Sequence, residues 1–351
     1  MRTIEVIPAE GILLIGDPHL SSRRPGRRRD DDFVATVIGK LSAAMRLADA
    51  GRLLPIILGD VLDSGDDSDV RMLTLLTRVL RSCWRAPWYL VGNHTLTLGR
   101  RSTHRELSDG HALSLLAEAG TLHVLGGDGS PDLLVSTPSS DILVGGVCWG
   151  RDIPGAAGEQ WAATRADIRL LATHHDLSFP GRFIPGAMPL SRVDGIDLVV
   201  NGHVHDTRLP VRVGATWFFN PGNITRMSID LEAHVPSVFS LVPGREDAVD
   251  QRLSHVLPFG LRRHVLEHVA EIFDHTGRRI DATEPPPITE RPESSFVSLL
   301  RQEAEIPRTE DGSVFLEELQ AVFEELEVDP RVRGMLTGLL AEQVDSPTSG
   351  N

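Results

Sequence analysis

The chain has 351 residues, 41% of them hydrophobic, and its 49 acidic side chains outnumber 35 basic ones to give a net charge of -14. That composition supports a large core, while no window approaches the roughly 18 apolar residues of a membrane helix, and two cysteines, Cys83 and Cys148, make neither a disulfide framework nor a thiolate metal site. Residues 281–351 carry 16 acids and 5 arginines, against 33 acids and 30 basic residues in 1–280, so the acidity belongs to the tail and excludes no nucleic-acid contact by the rest.

The first residues form a short apolar run with no cleavable signal pattern, so the expected location is the cytoplasm, with no membrane partner. Lys40 is the only lysine and Leu41 follows it. The chain therefore has no Walker A loop, and any ATP-driven partner is a separate polypeptide.

From Gly11 onward short β-type runs alternate with helical stretches. GILLIG is followed by a helix over about 32–50, PIILG by one over about 70–82, and PWYLVG by one over about 110–119; the strands TLHVL, ILVGGV, RLLATH, DLVVN, ATWFFN and SVFSLV come after. Strands separated by helices predict an α/β fold, a sheet covered by helices, and the later strands predict a second, more antiparallel sheet packed on the first. A helix is expected over about 264–273. DATEPPPITERPE, 281–293, reads as a Pro-rich acidic linker. Beyond it helices are expected over about 295–305 and 313–327 and from Asp329, where Pro330 suits the first helical position. In the middle one Leu316, Leu319, Phe323 and Leu326 share a face.

Five strands end alike, in ILLIGDPH, PIILGDVLD, PWYLVGNH, RLLATHH and DLVVNGHVH. Four of them turn on a glycine (Gly16, Gly59, Gly92, Gly202), which lets the backbone leave the strand with no side chain in the way. Loops at the carboxyl ends of strands in α/β sheets converge on one edge. They would collect Asp17, His19, Asp60, Asp63, Asn93, His94, His174 or His175, His203 and His205. Carboxylates, an amide oxygen and imidazoles without thiolate suit divalent metals such as Mn(II), Fe or Zn. There are too many for one ion; two ions roughly 3.5 to 4 Å apart, sharing a carboxylate, serve in-line displacement at phosphorus. One strand-end histidine is more often a hydrogen-bonded structural residue, but five segments with one pattern argue for a shared site.

The series D-x-H (Asp17, His19), G-D-x-x-D (Gly59, Asp60, Asp63), G-N-H (Gly92 to His94), an isolated His and G-H-x-H (Gly202 to His205) resembles the motif series of the calcineurin-like metallophosphoesterases, over about residues 11–242. The resemblance implies the four-layer metallophosphoesterase fold, a two-sheet β-sandwich flanked by helices, in residues 1–244. After it come an accessory or capping segment (245–280), the linker (281–293) and an acidic helical tail (294–351). It further implies that Asp17, His19, Asp60 and His205 bind one metal, and that Asp60, Asn93, His203 and the strand-end His bind the other, with Mn(II) expected ahead of Fe or Zn. His174, directly after RLLAT, is taken as that ligand, with His175 the alternative. His94 is implied as the acid or charge stabiliser at the leaving-group oxygen, with Asp63 holding its imidazole. The implied reaction is phosphoester hydrolysis with no covalent enzyme intermediate. Thr95 stands where the family commonly has Asp or Glu.

For the substrate, GDVLDSG and FNPGNITR (219–226) are similar to segments of SbcD-type DNA repair exonucleases, with Asn223 in place of their serine. Five arginines between Arg23 and Arg29 would grip phosphates or form a solvated loop paired with residues 30–32. The linker and tail resemble the arrangement by which SbcD-type subunits dock on a coiled-coil ATPase; the alternatives are helices capping their own domain, or a homodimer. The expected function is thus a DNA exo/endonuclease subunit working with a separate coiled-coil ATPase. The alternatives are a small-substrate phosphodiesterase or phosphatase and a non-catalytic scaffold on the same fold.

Overall fold

A computed structural model of the chain describes residues 3–65, 67–95, 111–181, 186–243 and 259–275. The chain divides into two units, Met1–Thr283 and Glu284–Asn351; the linker and tail expected over 281–351 lie outside the described residues. Among those residues no helix is long and apolar enough to cross a membrane.

Parallel strands need both faces covered, and their sequences show it. A six-stranded sheet is built on β2 (Gly11–Ile15), β3 (Leu53–Ile57), β4 (Trp88–Tyr89) and β5 (His123–Val124), all mutually parallel. Every residue of β2 and β3 is buried. The sheet continues on the other side of β2 through antiparallel β14 (Ser237–Val242) and β15 (Gly260–Val265). Helices α1 (Phe33–Ala50) and α2 (Val70–Leu80) pack on each other, and α1 packs on β2 and β3. Each helix starts on an aspartate that accepts from a backbone N–H three residues on, Asp32 from Ala35 at 2.9 Å and Asp69 from Met72 at 2.6 Å, satisfying donors left free at a helix N-terminus.

The seven-stranded sheet runs in the order β1 (Glu5–Pro8), β6 (Asp128–Ser136), β7 (Asp141–Val147), β8 (Ile168–Thr173), β11 (Leu198–Asn201), β13 (Thr216–Asn220), β12 (Arg208–Val213). Strands β9 (Leu177–Ser178) and β10 (Met188–Pro189) pair separately. Alternate residues of the large sheet enter two different cores. Ile142 and Val144 of β7, Leu170 and Ala172 of β8, and Trp217 and Phe219 of β13 join the main core. Leu143, Leu171 and Phe218 join a second cluster with Trp161 from the short helix Glu159–Ala163. Phe219 meets Phe239 of β14 edge to face at 5.0 Å, which joins the two sheets. Helices, sheet, sheet and outer helix make the four layers.

Three expectations change. The large sheet is not the more antiparallel of the two, since four of its six pairings are parallel against three of five in the other. Residues 260–265, partly assigned to a helix, form β15 along the open side of β14, where unpaired backbone groups have a sheet edge to join. In the rest of the span where a helix was expected, Leu266, Ile272 and Phe273 fill buried positions without forming one. The strand β6 also escapes the pattern of the sequence, because Pro131 sits at a register shift against β7.

Candidate metal centre

Strands β2, β3 and β4 are adjacent and parallel, so their carboxyl ends lie along one edge, and β8 and β11 do the same in the other sheet. Two contacts join these edges. Oδ2 of Asp17 accepts the backbone N–H of His203 at 2.7 Å, and Nε2 of His174 lies 3.0 Å from Oδ2 of Asp60. The turn residues are held in costly geometry. Among the described residues four non-glycines have positive φ, and three of them are His19 at 47°, Asp60 at 34° and His203 at 63°; such strain gathers at functional sites. Gly59, at φ 144°, and Gly92 allow the close approach, because a Cβ would overlap the His174 imidazole at the first and the Asp60 carboxylate at the second.

Three groups of possible ligand atoms result among the described residues, one of them His19 with Asp63 and His94; the other two hold the expected ligands. In the first, Asp17, His19 and His205 bring their atoms within 4.8 Å of one another, with Nε2 of His19 2.9 Å from Nε2 of His205. Oδ1 of Asp17 is buried with no hydrogen-bond partner among the described residues. In the second, Asp60, His174 and His203 converge, and Oδ1 of Asn93 lies 3.0 Å from Nε2 of His174 and 2.9 Å from Nδ1 of His203. His174 donates its Nδ1 proton to the Leu58 carbonyl at 2.9 Å, so in the neutral ring Nε2 is a lone pair facing two oxygen acceptors. Acceptor atoms pointed at acceptor atoms, with an orphaned carboxylate oxygen beside them, form a donor set that divalent cations fit.

The electrostatics agree with that geometry. Burial would raise the Asp60 carboxyl, but His174, His19 and His94 around it hold it below the ordinary carboxylate range. Burial would lower His174, but Asp60 and Asp17 outweigh it and push the ring up to about 9; His19 is raised in the same way, chiefly by Asp63. Burial, with His19 alongside, pushes His205 down to about 4, and burial with His174 lowers His203. The carboxylates thus favour the protonated form at His19 and His174 and burial disfavours it at His203 and His205.

His175 turns away from this cluster, its Nε2 on the Arg151 carbonyl at 2.7 Å. The pairing expected between Asp63 and His94 takes another form. The Asp63 carboxylate lies 3.1 Å from Nδ1 of His19 and 3.7 Å from Nδ1 of His94, and it is the Asp63 backbone carbonyl that accepts from His94 Nδ1, at 2.5 Å. The carboxylate goes to the buried ring, where it is screened less. The backbone N–H of His94 also donates to Oδ1 of Asp60 at 3.0 Å. The side chain of Thr95 lies outside the described residues.

Two supporting residues were missed. Asp176 places Oδ1 2.9 Å from Nε2 of His203, and its only sequence signal is that it follows the His-His pair. Asn201 ties β8 to β11, accepting from the Thr173 hydroxyl at 2.8 Å and the His175 N–H at 3.1 Å and donating to the His175 carbonyl at 3.0 Å. Of the arginine cluster, Arg28 is buried and pairs with both oxygens of Asp30 at 2.7 Å, Arg24 donates to the Asp30 carbonyl at 2.6 Å and Arg29 pairs with Asp274 at 3.2 Å. Arg23 and Arg27 are exposed.

Residues 11–207 match the profile of the calcineurin-like phosphoesterase family. A search of curated proteins finds no match. Among solved structures, the chain is similar to a hypothetical protein of Thermus thermophilus, at 13% identity and TM-score 0.35 over 73% of this chain and 99% of that one. It is also similar to a 5'-nucleotidase precursor of the same organism, at 12% identity and TM-score 0.40 over 73% of this chain and 54% of that one. A third is Vps29 of Entamoeba histolytica complexed with zinc, at 12% identity and TM-score 0.30 over 72% of this chain and 98% of that one.

Proposed function

The chain belongs to the calcineurin-like phosphoesterase family, and from that premise we propose that it is a two-metal phosphodiester hydrolase acting on DNA, the nuclease subunit of an SbcD-type pair with a separate coiled-coil ATPase. The observation that carries the hydrolytic reading is the two groups of facing acceptor atoms, with Asp60 central to the electrostatics of both. Asp17, His19, Asp60 and His205 would hold one divalent cation, and Asp60, Asn93, His174 and His203 the other, Mn(II) by preference. Bound there, the cations supply Lewis acidity toward phosphoryl oxygens and a water of lowered pKa.

The chain's own groups do the remaining work. His94 has a side chain 37% exposed, and with Nδ1 committed to the Asp63 carbonyl its Nε2, when protonated, is the atom left to donate to a leaving alkoxide. Asp63 and Asp176 fix the rings of His19 and His203, so that one nitrogen of each is presented inward. The DNA reading rests on GDVLDSG, on FNPGNITR and on the arginine cluster, in which exposed Arg23 lines a cleft together with Asp63. The ATPase reading rests on the apolar face of Leu316, Leu319, Phe323 and Leu326 beyond the acidic linker.

The test is Mn(II)-dependent turnover of bis-p-nitrophenyl phosphate and of linear DNA by wild type and His94→Ala. Both substrates should be cleaved by wild type, and the variant should lose turnover while keeping its metal. Cleavage of the small ester with DNA untouched would favour a small-substrate phosphodiesterase, and inertness toward both with metal bound would favour a scaffold. Leu319→Glu with Phe323→Glu in the full chain should abolish co-purification of an ATPase and leave ester cleavage intact.

A further inference from the structure

A cavity of 460 Å³ lies among the loop before α1, one face of α1, the loop after β13 and the segment that follows β15. Its wall carries four cations, Arg28, Lys40, Arg46 and Arg226, against two acids, Asp30 and Glu267. Arg28, Lys40 and Arg226 are buried, at 2%, 7% and 3% exposure, in a chain whose overall charge is strongly negative.

The local charges do not cancel. Both oxygens of Asp30 are taken by Arg28. Among the described residues Arg226 hydrogen-bonds only to backbone carbonyls, those of Glu232 at 2.8 Å, Ala270 at 3.3 Å and Val269, the Glu232 and Asp30 carboxylates act on it without a hydrogen bond, and its Nε is buried with no partner. The Phe273 ring, 5.9 Å from each guanidinium carbon, is shared by Arg28 and Arg226. No hydrogen bond or ion pair from a described residue reaches Lys40. Burial, with Arg28 and Arg226 alongside, pushes its ammonium down to about 7 against the opposing pull of Asp30. A buried charge without a counter-charge is destabilising, and an anion held among these groups would relieve it.

We propose that this cavity binds a phosphate-class oxyanion, free or as the terminal group of a small phosphoester, with Lys40, Arg226 and Arg46 as its cationic contacts. Lys40 offers three donors and Arg226 a spare one, and charged donors to phosphate oxygens make strong hydrogen bonds. The volume falls in the range of small-molecule sites, which leaves room for the rest of an ester. The site shares no residue with the metal centre, so its occupancy does not depend on the hydrolytic reading.

Calorimetric titration of the full chain with inorganic phosphate and with adenosine 5'-monophosphate, before and after chelation of metals, tests the proposal. One site per chain should persist after chelation, with the preferred probe telling free phosphate from ester. Lys40→Met should weaken it about tenfold or more. Arg46→Gln alters an exposed side chain and should weaken binding with the fold intact. Because Lys40 is the only lysine, protein labelled with 13C-lysine should give one side-chain Cε signal, and phosphate should move it. Absence of binding by both probes in the chelated protein, or binding that neither variant alters, overturns the assignment.

Discussion

Nε2 of His203 donates to Oδ1 of Asp176 at 2.9 Å, which leaves Nδ1 of the same ring facing Oδ1 of Asn93 at 2.9 Å. The carboxylate chooses which nitrogen is presented to a cation. Asp176→Ala should weaken Mn(II) binding roughly 10- to 100-fold, the usual loss when a ligand's outer partner is removed, while Asp176→Asn, which keeps an acceptor oxygen, should restore most of it. Calorimetric Mn(II) titration of both variants is the check, and equal affinity in wild type and Asp176→Ala would assign His203's orientation to the Trp149 ring at 4.5 Å instead.

The neighbouring histidines should behave oppositely. His174→Ala removes the imidazole whose Nε2 faces Asp60 and Asn93, and it should lose one metal per chain together with ester turnover. His175→Ala removes a ring bonded to the Arg151 carbonyl, and it should keep two metals and most of its rate. Elemental analysis of the purified variants separates these outcomes.

A methyl group at residue 92 would collide with the Asp60 carboxylate. Gly92→Ala should therefore displace the Asp60 carboxylate, lowering metal content to one per chain or less and costing roughly 2 to 4 kcal/mol, as for other disrupted buried networks. Urea denaturation alongside metal analysis reads both effects. A variant with full metal content would mean that the β4 turn can shift outward without consequence.

Lys40 makes stability depend on pH. Burial first, and then Arg28 from the preceding loop and Arg226 from the loop after β13, lower its pKa from 10.5 in the unfolded chain to about 7 when folded, against the pull of Asp30; Arg46 on its own helix and Glu267 and His268 after β15 are the other charged or titratable groups of the cavity wall. Below about pH 7 both states are protonated and the burial penalty is full; between pH 7 and 10.5 only the unfolded chain holds the proton, so folding is progressively relieved of it. Lys40→Met should then stabilise the protein by roughly 1 to 3 kcal/mol at pH 6, with a gain that shrinks toward pH 9.5. Chemical denaturation in phosphate-free buffer at the two pH values measures it, and an equal gain at both would show that Lys40 folds without a shifted pKa.

The strands β2, β3, β4, β8 and β11 were legible because each is a continuous apolar run stopped by polar residues, and burial on both faces of a parallel sheet demands that pattern. The helices α1 and α2 were legible as the stretches that alternate with those runs, and the structure adds their capping aspartates, Asp32 and Asp69. Elements whose reason lies elsewhere in the chain were not. The strand β15 exists because β14 offers it an edge, and β6 tolerates Pro131 because a register shift absorbs it. Neither condition is written in the local residues.

Taken alone, the sequence determined the chemical identity of the donors and the five strand ends that carry them, since those depend on residue type and short spacing. Only the tertiary structure decided that His174 rather than His175 joins the cluster, that the Asp63 carboxylate serves His19, that Asp176 orients His203, and that Arg28 and Lys40 are buried around a cavity. Those outcomes turn on side-chain direction and on contacts between separate segments, 27 residues apart for Asp176 with His203, 44 for Asp63 with His19 and 114 for His174 with Asp60, and hydrogen bonds and buried charges are decided by what stands opposite a group once the sheets have packed.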